Sequence, residues 1–298
     1  MPLKGIRMCS LYPKQIIRQM HDIDILVDKE NLDKVRRIFE KEGYTYSHSM
    51  HHDKYVNEDG VLFEIHESLS VMENFCDIFK NPWENTVCNG MKYEFIPEYE
   101  YLYILAHFCS HITFDGVKLY GLIDMWLFEE SHRDLDFIYI NRIAQQCNVE
   151  RFVSNVRKLK GVWLYGEPYT DIYKELTEYM LGVSESIKNT TVNSYDTNQS
   201  RIRNFINILK HKAVLDKKEM ALRYPWAKGK ILLAYAHCIR WIYGLIYRRK
   251  YISDMFDVFL KVGTNDIRMH QKKLSRFGIN IEKNKKERSL SYGEEGRN

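Results

Sequence analysis

The chain has 298 residues, 45% apolar and 28% charged, a balance that fits an ordinary folded protein and excludes a disordered one. Its 44 Lys and Arg against 40 Asp and Glu leave a net charge of only +4. That is too little for nucleic-acid binding through bulk charge, so a phosphate-bearing ligand needs a local site. Six cysteines without a C-x-x-C pair exclude a disulfide scaffold, and a start lacking an apolar signal core points to the cytoplasm.

At about 150 residues per domain the length predicts two domains. His21-Asp-Ile-Asp-Ile-Leu-Val27 reads as a strand, first alternating and then continuously apolar. Asp28 can cap a helix in which Leu32, Val35, Ile38 and Phe39 recur at helical spacing and which Gly43 ends. Strand candidates follow at 44–48, 54–56 and 61–66, the last two flanking the turn Asn57-Glu-Asp-Gly60. A small hairpin is predicted around Asn89-Gly90, before 92–96. The order β, α, β, β, β implies a mixed or antiparallel sheet with helices on one face.

From Glu98 on, nearly everything reads as helix, with segments near 98–113, 122–130, 137–147, 150–165, 170–182, 200–212, 217–223, 228–249 and 252–262. Residues 189–200 read as a polar loop, and the charged tail after about 281 as disordered. The most apolar stretch, Ile231–Tyr247, carries His237 and Arg240 and falls short of the ~20 apolar residues of a spanning helix. The fold class is therefore α+β: a small mixed-sheet domain over 1–96, a helical domain over 97–280 and a tail over 281–298.

The sharpest chemical signal is Asp22-Ile-Asp24. Side chains alternate along a strand, so the two carboxylates share one face while Ile23 and Ile25 take the other. Carboxylates so placed repel unless a cation lies between them. Mg²⁺ suits such a set, since it prefers oxygen ligands and binds through one or two carboxylates, waters and substrate phosphates. Val61-Leu-Phe-Glu-Ile-His66 offers a third carboxylate, Glu64, with His66 on the same face. If that strand lies beside the first, the three acids complete a site of the kind that polarises phosphoryl groups. Taken singly, each acid is more simply a solvated strand residue.

Leu3-Lys-Gly5, Leu11-Tyr-Pro13, Arg18, Asp22-Ile-Asp-Ile-Leu-Val27, Gly43-Tyr44 and Glu64-Ile-His66, followed by His107, His111 and Asp124, together resemble the uncharacterised bacterial nucleotidyltransferase family of the polymerase-β-like superfamily. The resemblance covers about residues 3–130. It implies transfer of a nucleoside monophosphate from an NTP to an acceptor (a small molecule, peptide or protein), with release of pyrophosphate. It makes Asp22, Asp24 and Glu64 the ligands of Mg²⁺ or Mn²⁺. Gly5 would match the triphosphate-holding turn, where a missing side chain lets backbone N–H groups approach phosphate. Lys4 and Arg18 would be phosphate contacts by charge and position. The chain departs from the superfamily in having Ile6 rather than Ser or Gly after Gly5, and in starting so close to the Leu-Lys-Gly segment that most of the first strand is expected to be missing. Both departures favour an alternative, a degenerate relative that binds nucleotide or protein without turnover.

His107 and His111, at i and i+4 of a predicted helix, face one way. With Asp124 they give a second alternative, a zinc hydrolase, although the Glu of H-E-x-x-H is missing. The plainer account makes His66, His107, His111 and Asp124 contacts in a cleft. His48, His51 and His52 beside Asp53 read as a solvated loop. The helix ending in Arg248-Arg-Lys250 reads as a core helix with a cationic C-terminus, its membrane-surface alternative being weaker.

Overall fold

The structure is a computed structural model. It describes residues 1–14, 18, 20–48, 52–69, 72, 75, 77–90, 92–115, 119–181, 200–213, 220, 224, 226–247, 249–261 and 263–279. The expected loop at 189–200, the helix near 217–223 and the tail from 281 lie outside the described residues, apart from positions 200 and 220.

A short helix α1 (Lys4–Cys9) precedes β1 (Ile23–Leu26), α2 (Leu32–Lys41), β2 (Thr45–His48), β3 (Asp53–Val56) and β4 (Leu62–His66). These strands form a four-stranded sheet in the order β1-β4-β3-β2. β4 runs parallel to β1 and antiparallel to β3, and β3 is antiparallel to β2. The sheet is therefore mixed. The segment Met1–Leu3 adds a bridge along the free edge of β1, with Leu3 N–H donating to Asp24 O and Leu26 N–H to Met1 O.

The two faces of the sheet follow from register. Ile23, Phe63, Tyr55 and Tyr46 stand side by side on one face, and α2 covers them. Phe39 stacks on Tyr55 with ring centroids 4.4 Å apart and meets Phe63 at 5.2 Å. Asp24, Glu64 and Lys54 stand side by side on the other. Helices were expected on one face alone. In fact α1 also reaches the acidic face, because Lys4 extends to Asp24. The sequence gives no periodic warning of α1, which spans only six residues.

A separate hairpin pairs β5 (Thr86–Asn89) with β6 (Lys92–Phe95). Its turn is the Asn89-Gly90 predicted, with Gly90 at φ 65° as such a turn requires. Pro97 then opens α3 (Pro97–Ser110) at the position where a missing N–H costs nothing. Residues Tyr99 to Ala106 of α3 are all buried, so it is apolar around most of its circumference and central to its unit. A π-helical turn, His111–Asp115, continues it.

α4 (Tyr120–Ser131), α5 (Phe137–Gln146), α6 (Glu150–Tyr165) and α7 (Asp171–Leu181) follow, within a residue or two of expectation. Asp136 caps α5 by accepting from Ile138 N–H and Tyr139 N–H. α3 and α4 cross so tightly at Gly121 that a Cβ there would lie 2.1 Å from Cδ2 of Phe108. Gly121→Ala is expected to cost about 1–3 kcal/mol through overpacking, read as a lowered thermal midpoint. An unchanged midpoint would show that the two helices have room to spare.

The chain divides into two compact units, Met1–Ile112 with Val117–Gly182 and Phe277–Asn298, and Thr113–Gly116 with Val183–Arg276. The second contains α8 (Arg201–Ala213), α9 (Lys230–Tyr247), α10 (Arg249–Lys261) and most of α11 (Thr264–Phe277). There Phe205 stacks on Phe259, and Met220, Ala227 and Ala236 form a small core. Among the described residues no helix is long and apolar enough to cross a membrane.

Candidate functional site

Parallel pairing of β1 with β4 places Asp24 directly opposite Glu64. Counting outward from the Asn57–Gly60 turn pairs Val56 with Leu62 and Lys54 with Glu64, and one more step along the same register sets His52 opposite His66. Asp24, Glu64 and His66 are buried, while Asp22, just before β1, is half-buried. The alternating strand thus carries its ionisable groups to one side, as the Asp-x-Asp and Glu-x-His spacings require.

Each buried carboxylate already has two basic neighbours. Lys4 Nζ donates to Asp24 Oδ1 at 3.3 Å, and His66 Nε2 lies 2.7 Å from the same oxygen. Lys54 Nζ donates to Glu64 Oε1 at 2.6 Å, with His52 Nε2 at 3.3 Å. Burial pushes the Asp24 carboxyl up. The His66 hydrogen bond and the Lys4 charge outweigh that effect and hold it below the usual carboxylate range. Burial likewise opposes the Lys4 charge, but Tyr103, Asp24 and Asp22 more than offset it and raise its pKa. Tyr103 itself is pushed up to about 12, chiefly by burial. His52 moves the other way: burial lowers it and favours the neutral imidazole.

Lys4 reaches Asp24 from a left-handed backbone conformation, φ 46°, a strained state for a residue with a side chain. Gly5, expected as a phosphate-holding turn, has a packing reason to be glycine. A Cβ there would lie 2.9 Å from Met20 Sδ and 3.6 Å from Arg18 Nη1.

The other expected phosphate contact, Arg18, is engaged elsewhere. Its Nε and Nη2 donate to Asp124 at 3.0 and 2.9 Å, and its guanidinium lies over the Tyr120 ring. Tyr12 O–H donates to Asp124 Oδ1 at 2.7 Å. Three residues that carried the resemblance, Tyr12, Arg18 and Asp124, therefore form one tie between the segment before β1 and α4. His107 and His111 meet with their Nε2 atoms 2.8 Å apart, but Asp124 faces Arg18 and Tyr12. Among the described residues the two histidines and Asp124 do not form a group of close ligand atoms.

Asp24 and Glu64 share a face, and Asp22, just before β1, acts on Lys4 through its charge; among the described residues the three do not form such a group, and Asp24 and Glu64 each have a lysine as partner. Among the described residues the group close enough to hold an ion is His52, Glu64 and His66, with ligand atoms within 4.8 Å of one another. His52 and Lys54 were missed as site residues. The signal was present in the hairpin arithmetic, which places both opposite the Glu-x-His pair.

Residues 1–165 match the model of a family described as uncharacterised nucleotidyltransferase. No curated protein and no solved structure matches the chain.

Proposed function

The chain belongs to the uncharacterised nucleotidyltransferase family, and from that premise we propose that it transfers a nucleoside monophosphate from an NTP to a small-molecule, peptide or protein acceptor, as a polymerase-β-like enzyme of the bacterial cytoplasm. The observation that carries this reading is the pairing of β1 with β4, which sets Asp24 beside Glu64, with the Asp22 charge acting on Lys4, the partner of Asp24. In the reaction an acceptor hydroxyl gives its proton to a carboxylate of the site or to water and forms a bond to the α-phosphorus. The bond from that phosphorus to the bridging oxygen breaks, and pyrophosphate leaves.

The donor chemistry suits a hard divalent cation: the carboxylates of Asp24 and Glu64 share a face and are now matched to lysine ammonium groups, with Asp22 just before β1. Asp22, Asp24 and Glu64 would hold Mg²⁺ or Mn²⁺, which supplies positive charge to the reacting phosphoryl group. Lys4, released from Asp24, then has a triphosphate oxygen as its counter-charge. Lys54, with 34% of its side chain exposed, can swing outward as Glu64 changes partner. A cytoplasmic setting accords with Cys9, Cys88 and Cys238, which carry free thiols.

The charge matching also favours a second reading. A site whose carboxylates are neutralised by Lys4 and Lys54 suits a degenerate relative that binds nucleotide without turning it over. Incubation with each of the four NTPs and Mg²⁺ or Mn²⁺, followed by assay of pyrophosphate and of nucleotide-bearing products by mass, separates the two. Enzymatic transfer predicts pyrophosphate release with at least one NTP. Calorimetric binding with no release from any of them supports the degenerate reading and overturns the first.

A further inference from the structure

The geometry points to a binding site for Zn²⁺ formed by His52, Glu64 and His66, with Lys54 as the internal cation that occupies Glu64 in its place. The site shares Glu64 with the carboxylate set of the transferase reading but takes its other donors from two imidazoles, and it stands without that reading. Two imidazoles and one carboxylate are the donors of many zinc centres, in which three protein ligands leave a fourth position open. Imidazole nitrogen favours zinc and its neighbours in the transition series over Mg²⁺.

Three independent features of the structure converge on it. The ligand atoms lie within 4.8 Å of one another. Bound zinc holds its ligands at about 2.0–2.2 Å, so the set closes further around the ion. His52 Nε2 is buried and has no hydrogen-bond partner, yet lies 3.3 Å from Glu64 Oε1. A buried nitrogen left unsatisfied is costly, and a cation shared with the carboxylate removes that cost. His66 is held through Nε2 by Asp24 at 2.7 Å, the carboxylate–imidazole contact that orients zinc-ligating histidines and leaves their other nitrogen for the metal.

The register explains why these groups meet. His52 and His66 face each other across the β3–β4 pair, with ring centroids 5.0 Å apart, and Glu64 is two residues before His66 on the same face. Lys54 stands in line with Glu64 on β3, so its ammonium competes for the oxygen a metal would use.

The test uses the full chain freed of metal by a chelator, without nucleotide, and Co²⁺ as a coloured probe for the zinc site. Titration should give one Co²⁺ per chain, with a visible absorption band that stoichiometric Zn²⁺ abolishes and excess Mg²⁺ does not. His52→Ala, at a partly exposed position, should weaken Co²⁺ at least tenfold, and His66→Ala likewise. Lys54→Met should tighten it severalfold by removing the competing ammonium. Asp22→Asn should leave the Co²⁺ band in place. No band in the wild type, a band displaced by Mg²⁺, or unchanged affinity in His52→Ala would overturn the site. Because no NTP is present, such a failure leaves the transferase reading untouched, and absence of NTP turnover would leave the zinc site untouched.

Discussion

Asp124→Ala is expected to lose about 3–5 kcal/mol of unfolding free energy, the range for removing one partner of a buried ion pair, read as a lowered urea midpoint by far-ultraviolet circular dichroism. Asp124 is 5% exposed and accepts from Tyr12 and from two nitrogens of Arg18. Without the carboxylate the guanidinium remains against Tyr120 with its main counter-charge gone. The double variant Arg18→Met/Asp124→Leu should lose less than the sum of the two single variants, because it removes both charges together. Additive losses would show that the pair is not coupled. The same experiment decides the role of Arg18. A phosphate contact would weaken NTP binding and leave the urea midpoint of Arg18→Met near that of the wild type. A structural tie moves the midpoint first.

The contrast between Asp124 and Asp24 shows what the sequence could and could not reveal. Asp24 was legible because alternation along Ile23–Ile25 is a local property: one face takes the isoleucines and the other takes Asp24. The hairpin of β3 and β4 was nearly legible, since its register follows from where the Asn57–Gly60 turn closes. Pairing of β1 with β4 is a parallel contact between segments some forty residues apart, and no local pattern specifies it. Arg18 and Asp124 are 106 residues apart, and Arg7 and Glu100 are 93 apart. Only tertiary packing brings such partners together, so Arg18 was expected to contact phosphate. α11 went unpredicted for a different reason. Its buried residues Ile267, Leu274 and Phe277 are a sparse apolar stripe among ten polar or charged neighbours, and the signal from so few positions is weak. His52 was read as part of a solvated loop because proximity in sequence to His51 and Asp53 masked its place across from His66.

Asp24→Asn should lower nucleotidyl transfer by about 10²–10³-fold or more, a loss of the size seen when one charge-stabilising group is removed from a reaction centre. The substitution keeps side-chain volume and keeps an oxygen that can accept from Lys4, so its effect on folding is small beside its effect on charge. Asp24 is the group best suited to this test, because in the transferase reading it couples the phosphate side of the site to its support. It lies between Lys4, which the transferase reading assigns to phosphate, and His66, which it orients. Removing its charge leaves Lys4 with the Asp22 charge acting on it, and lowers the total negative charge available to a divalent ion. Glu64→Gln should act in the same direction, since Glu64 stands beside Asp24 in the β1–β4 register. The readout is pyrophosphate release with the preferred NTP, alongside circular dichroism to confirm folding. Full turnover in a folded Asp24→Asn protein would sink the assignment, because no other acid pairs with Glu64 across β1 and β4.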